Sequence, residues 1–235
     1  MTSESNIDES VRMAWVNAVA RKVTDIINLA SWEMNPSPLP ELYWLEGVLY
    51  MRQEEELIPM DFDQIDFLAL IDFQTGVYNF RHFLRKLQHE VLRARVCERP
   101  ISLLVVALSG IAEINNQFGY AAGDEATRSA ANLLVQATRL DIDFVGRFLP
   151  DRFAVALPET PGEGSLILAE RIRRRFELFV VKHQWYELRM TASIGVTYVP
   201  GHYGDAEEML AQADIAAEMI LQRGGNAVVP APLIF

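Results

Sequence analysis

The residues that could do chemistry here do not assemble into a site by type and spacing. The chain has four histidines, His82, His89, His183 and His202, and a single cysteine, Cys97. Zinc sites bring Cys and His together in closely spaced pairs, and none of these residues is so arranged. No metal and no cofactor is therefore expected, and His202 in PGHYGD reads as a loop residue. Arg171, Arg173, Arg174 and Arg175 form a basic run that reads as a solvated helix face. Asn115 precedes a polar turn, NNQFG, and Asp124 lies in AAGDEA at an expected helix start, where Asp caps well. Asp151 sits in RFLPDRF (147–153), a hairpin turn in which Arg152 is expected to pair with Asp151 or another nearby acid.

The elements that must position these residues follow from the composition. Of 235 residues half are apolar, so the chain forms a core. Its run ISLLVVAL at 101–108 is far too short to cross a bilayer, and no basic segment followed by an apolar one opens the sequence. With no disulfide framework, a cytoplasmic protein without membrane insertion is expected. The net charge is −11. Residues 1–71 hold 13 acids and 4 bases, and residues 72–235 hold 19 acids and 17 bases. Such an acidic chain is a poor binder of nucleic acid, and the asymmetry suggests two units.

Residues 8–32 carry Val11, Trp15, Ala18, Val19, Val23, Ile26 and Ala30 at helical spacing. PSPLP at 36–40 ends that pattern, and ELYWLEGVLYMRQEEE at 41–56 reads as a second helix. The expected division is a helical pair over 1–58, a connector at 59–71, a main domain over 72–229 and a tail at 230–235. Two helices bury little alone, so their apolar faces should dock on the main domain, a sister subunit or a partner. Trp15, Trp32, Trp44 and Tyr50 are the candidate interface residues. From residue 72 helices and strands alternate: helices at 79–97, 122–138, 163–182 and 205–222, a buried strand at 101–108, a hairpin at 144–157 and a strand at 189–198. The first helix should face Phe80, Phe83, Leu84, Leu87, Val91 and Leu92 inward. The class is α/β, a central sheet with hairpin and crossover connections.

DFQTGVYNFRHF at 72–83 resembles the D-x-L-T-G-L-x-N-R-x-x-F opening of GGDEF domains, the diguanylate cyclase fold. LLVVALSGIAEINNQFGYAAGDEA, VGRFLPDRFAVALPET, AERIRRRFE and MTASIGVTYVPGHYGDAEEMLAQAD with GGN resemble the family's later segments, in order, over 72–229. The resemblance implies a nucleotidyl-cyclase-like sheet flanked by helices, in a bacterial signalling protein of the cyclic di-GMP system. Residues 1–66 lie outside it.

The family reaction joins two GTP molecules, which requires divalent metal held by carboxylates. Position by position, the first carboxylate is Ala107 and the second acid of that pair is Ser109. The signature glycines are Leu149 and Pro150, the third signature residue remains acidic as Asp151, and the fourth is Arg152. The lysine and arginine of the triphosphate clamp are Leu221 and Gly225, with Arg223 out of register, and a further lysine is Ala112. Asn115 and Asp124 stand where the family reads guanine, a pair whose chemistry suits that base. The family's inhibitory R-x-x-D aligns on Leu140 and Asp143, with Arg139 displaced by one residue.

These matches lead to a degenerate GGDEF-like protein, not an enzyme, that acts through protein–protein contacts or as a homodimer through its N-terminal helices. Asn115, Asp124 and Asp151 are then vestigial nucleotide contacts, and Arg139 with Asp143 a variant inhibitory-type site. The alternative is a receptor for cyclic di-GMP or a guanine nucleotide. An active cyclase resting on Asp151 almost alone is the third reading.

Overall fold

The computed structural model describes residues 70–201 and 204–232, the segments 42–45, 48–53 and 56–59, and Ala14, Ala18 and Arg21. Those last three are helical; Trp15 and Trp32 lie outside the described residues.

The second helix expected at 41–56 is instead a three-stranded antiparallel meander, β1 (Leu42–Leu45), β2 (Val48–Gln53) and β3 (Glu56–Pro59). Leu45 pairs with Val48, Trp44 with Leu49 and Tyr43 with Tyr50. The apolar face that suggested a helix is equally a strand pattern. Its aromatic and β-branched residues favour a pleated surface, and Gly47 would cost a helix interior about 1 kcal/mol. Trp44 and Tyr50 therefore stand on neighbouring strands, and β3 takes the first residue, Pro59, of the expected connector.

The main domain is an α/β sandwich around a five-stranded sheet of order β10-β9-β4-β6-β5. In chain order it runs α1 (Phe80–Val96), β4 (Ile101–Ser109), α2 (Ile111–Phe118), α3 (Tyr120–Ala137), β5 (Phe144–Leu149), β6 (Arg152–Pro158) and α4 (Gly162–Leu178). There follow β7 (Val180–His183), β8 (Tyr186–Arg189), β9 (Thr191–Val199), α5 (Ala206–Gln222) and β10 (Val228–Pro230). β4 is central and antiparallel to both β6 and β9. Its first eight residues are all buried, as a strand covered on both faces must be.

Two apolar layers flank the sheet. On one face α3 and α4 bury Ala126, Ala130, Leu134, Ile172 and Phe176 against Leu104, Val106 and Val155. On the other, α1 and α5 bury Phe83, Leu87, Met209 and Leu210 against Leu103, Val105 and Ala107. α1 begins at Asn79, whose Oδ1 accepts from the His82 N–H at 2.9 Å. Leu92, expected inward, is 62% exposed, and Ala94 faces the core in its place. α5 lies hard against β9, for a Cβ at Gly195 would fall 1.9 Å from the Ala213 carbonyl oxygen.

Three other expectations need correction. The helix at 163–182 stops at Leu178, because Val180–His183 turns back through Gln184 (φ +52) to pair with Tyr186–Arg189. α2 is a helix of its own, separated from α3 by Gly119 at φ +86. The tail begins later than 230, since Val228–Pro230 pairs in parallel with β9 and the Ala231 N–H donates to Val196 O at 2.8 Å.

Candidate nucleotide-binding face

The signature hairpin closes at Leu149, which pairs with Arg152 and leaves Pro150 and Asp151 as the two turn residues. Neither has a positive φ, so this is not the primed turn that matches the strand twist. A register shift between Arg147 and Leu149 takes up the mismatch. The turn is pinned on two sides. The Leu108 N–H donates to Asp151 O at 2.9 Å, and Arg147 Nη2 donates to Pro150 O at 2.9 Å. Arg147 Nη1 reaches Asp72 Oδ1 at 3.3 Å and also donates to Gln74 Oε1.

Ala107 is fully buried in β4, with Arg152 as its cross-strand partner on one side and Ser193 on the other. Of the expected partners, Arg152 takes not Asp151 but other acids that the fold brings near. Successive strand residues face opposite sides of a sheet, and Arg152 turns under α5. There Nη1 bonds Asp214 Oδ1 and Nη2 bonds Glu218 Oε2. The Asp214 side chain is fully buried and that of Arg152 is nearly so. Burial opposes the charge on Arg152, but the charges and hydrogen bonds of Asp214 and Glu218 outweigh it, and its pKa lies above the ordinary arginine value. Asp214 and Glu218 went unnoticed in the sequence; their i,i+4 spacing on α5 opposite a basic turn residue was the available signal.

At the end of the same helix Leu221 packs on the α1–α5 core, and Arg223 is its exposed C-cap. A Cβ at Gly225 (φ +77) would lie 3.4 Å from Ser193 Oγ and 3.6 Å from Ser109 Oγ. The following Asn226 is fixed by its N–H to Ser193 Oγ and by its side chain to Arg173 and Glu177. Arg173 is thereby drawn inward, so the arginine run on α4 is not uniformly solvated. Its neighbours Arg171, Arg174 and Arg175 line an open groove with Leu166, Ile167 and Leu178. Among the described residues no group of three or more His, Cys, Asp and Glu could hold a metal ion.

Asn115 and Asp124 are brought together where α2 meets α3. Asn115 Oδ1 is buried without a hydrogen-bond partner among the described residues. It lies against Gly123, where a Cβ would come within 1.8 Å. Asp124 is not a cap. Gly119 occupies that position, and Asp124 lies within the helix, exposed, accepting from Gln74 Nε2 at 2.5 Å. Arg128 Nε donates to the Gln74 carbonyl at 3.3 Å. Gln74, standing where the family opening has a leucine, joins Asp214 and Glu218 as a third residue whose role went unnoticed in the sequence.

Arg139 and Asp143 meet as a bidentate pair, with Nη2 2.6 Å from Oδ1 and Nε 3.1 Å from Oδ2. Nη2 also donates to Pro158 O at 2.7 Å and Thr160 Oγ1 at 2.9 Å. The hydrogen bonds that Arg139 donates to Asp143 are the main cause of a raised pKa at Arg139. The one-residue displacement thus leaves the arginine tying the α3–β5 loop to the end of β6.

The sequence matches the family "Diguanylate cyclase, GGDEF domain" over residues 69–227. It is 35% identical over 164 residues to the response regulator PleD of Caulobacter vibrioides, a match that spans 69% of this chain and 36% of PleD. In fold it resembles the diguanylate cyclase SiaD of Pseudomonas aeruginosa, solved in complex with its activator SiaC. The TM-score is 0.64 and the identity 25%, over 68% of this chain and 61% of that one. It also resembles the GGDEF domain of DgcB from Caulobacter crescentus, solved in complex with c-di-GMP. Here the TM-score is 0.65 and the identity 23%, over 69% and 96%. No helix among the described residues is long and apolar enough to cross a membrane. Fold, hairpin and sequence match agree, and the chain belongs to the GGDEF family of the cyclic di-GMP signalling system.

Proposed function

We propose that this chain is a GGDEF protein without diguanylate cyclase activity, acting in signalling through contacts with a protein partner or a second copy of itself. The observation that carries this reading is the pairing of Ala107 with Arg152. Metal-dependent phosphoryl transfer needs carboxylates at the strand end beside the signature turn. Here a methyl group stands opposite a guanidinium whose charge is balanced by Asp214 and Glu218. A methyl group offers a metal no oxygen ligand, and the carboxylates nearest Arg152 are already engaged by its guanidinium. Leu149 and Pro150 in the turn, and Leu221 and Gly225 at the clamp positions, support the same reading. Asp151 is then a turn residue, and residues 1–58 with Trp15, Trp32, Trp44 and Tyr50 are the interaction module. Incubating the protein with GTP and Mg²⁺ or Mn²⁺ should give no cyclic di-GMP by chromatography; turnover to that product overturns the proposal.

A second reading, a receptor for a guanine nucleotide or cyclic di-GMP, draws on the α2–α3 corner. A carboxylate beside an amide whose carbonyl has no donor among the described residues complements the N–H groups of guanine. Binding of GDP or cyclic di-GMP in calorimetry, without turnover, distinguishes it from the first.

A further inference from the structure

Asp124 is the acceptor that a guanine base would need, and it already holds a donor from within the chain. Gln74 Nε2 lies 2.5 Å from Asp124 Oδ1, while the other end of the same amide accepts from Arg147 Nη1. The backbone beneath it is fixed. Asp72 Oδ1 accepts from the Thr75 N–H at 3.0 Å and from Thr75 Oγ1 at 2.5 Å, and Arg128 holds the Gln74 carbonyl. The amide is therefore presented to Asp124 by a closed turn and an arginine.

We infer that Gln74 is a built-in competitor for guanine at Asp124 and sets the affinity of this corner for the base. The inference rests on the receptor reading above. A primary amide offers a carboxylate the same kind of N–H that the guanine N2 amino group offers. A guanine binding through N1–H and N2–H must displace it. Adenine has no such pair of adjacent donors, so it gains nothing when Gln74 is removed. Hydrogen bonds to charged groups are strong enough for this exchange to change affinity about tenfold. Because Arg147 holds Gln74 and also closes the signature turn, release of the amide would be felt at Pro150.

The test is calorimetric titration of the full chain with GDP and with ADP, in the wild type, Gln74→Leu and Gln74→Ala. The second variant serves if the first fails to fold. Expected is a gain of about tenfold for GDP over wild type, no gain for ADP, and loss of the gain when Asp124→Asn is added. Equal GDP affinity in wild type and variants overturns the role of Gln74 and leaves the receptor reading standing. An equal gain for ADP overturns the base specificity. Failure of the wild type and every variant to bind GDP overturns the inference and the guanine-nucleotide form of the receptor reading.

Discussion

Two corners of the same domain hold their polar groups in opposite ways. Under the signature hairpin, Arg152 and Asp214 are buried and bound face to face between β6 and α5. At the α2–α3 junction, Asp124 is exposed, and its described partner is the amide of Gln74. Charge at the first corner cannot be released without leaving an ion in apolar surroundings, whereas at the second a ligand has only to displace one hydrogen bond. The first corner is therefore a structural joint and the second a place where binding remains affordable.

The largest effect should come from breaking the joint. Arg152→Ala strands the Asp214 carboxylate in the core and is expected to cost about 3–5 kcal/mol of stability, measured by urea denaturation. Adding Asp214→Ala should return much of that loss, because the cost lies in the unpaired charge rather than in the missing attraction. A loss in Arg152→Ala of the size seen at surface ion pairs would erase the distinction between the corners.

The second corner has its own packing limit. Gly123→Ala puts a methyl on Asn115 Oδ1 and should cost about 1–3 kcal/mol in the same assay. Asn115→Ala in that background should relieve most of it. If no relief appears, Asn115 is not what fixes the approach of α2 to α3.

How much of this was legible in the sequence divides along the same line. The order of motifs gave strands β4, β5, β6 and β9 and helices α1, α3, α4 and α5, each carried by a buried apolar run such as ISLLVVAL or a helical stripe, but not α2, the β7–β8 pair or β10. Ala107, Leu149, Pro150 and Arg152 were visible as departures at known positions. What Arg152 would bond was not, because Asp214 is 62 residues away and only the packing of α5 on β9 sets it alongside. Gln74 was hidden for a related reason, since its partner Asp124 lies 50 residues on. The meander of β1–β3 was misread because an aromatic, apolar stretch of that length suits either period. Its aromatic and β-branched residues and Gly47 were the signals that favoured strands.

The smallest effect concerns a third kind of site, a half-buried charge cluster on α4. Hydrogen bonds from Arg173 and then Arg174 lower the Glu170 carboxyl to about 2. Its contribution to stability is present above the ordinary carboxyl value of 4.5 and is lost as pH falls toward about 2. Solvent screening keeps the energy small. Carbon-detected NMR titration should place its midpoint near that value, and Arg173→Ala should move it upward while barely changing the melting temperature. A midpoint unmoved by that substitution would remove the basis for contrasting this cluster with the buried joint.

The short strand β10 has a consequence for where the folded unit can be cut. β9 would otherwise end the sheet, with the backbone groups of Ile194–Val196 open to another chain. Three residues of β10 cover that edge, Pro230 gives the outer side one donor fewer, and Ala231 is sealed beneath at 2% exposure. A chain shortened to residue 227 keeps every helix of the domain and yet uncovers a hydrophobic strand margin suited to self-association. The last few residues of the sheet thus act as a guard against pairing between molecules.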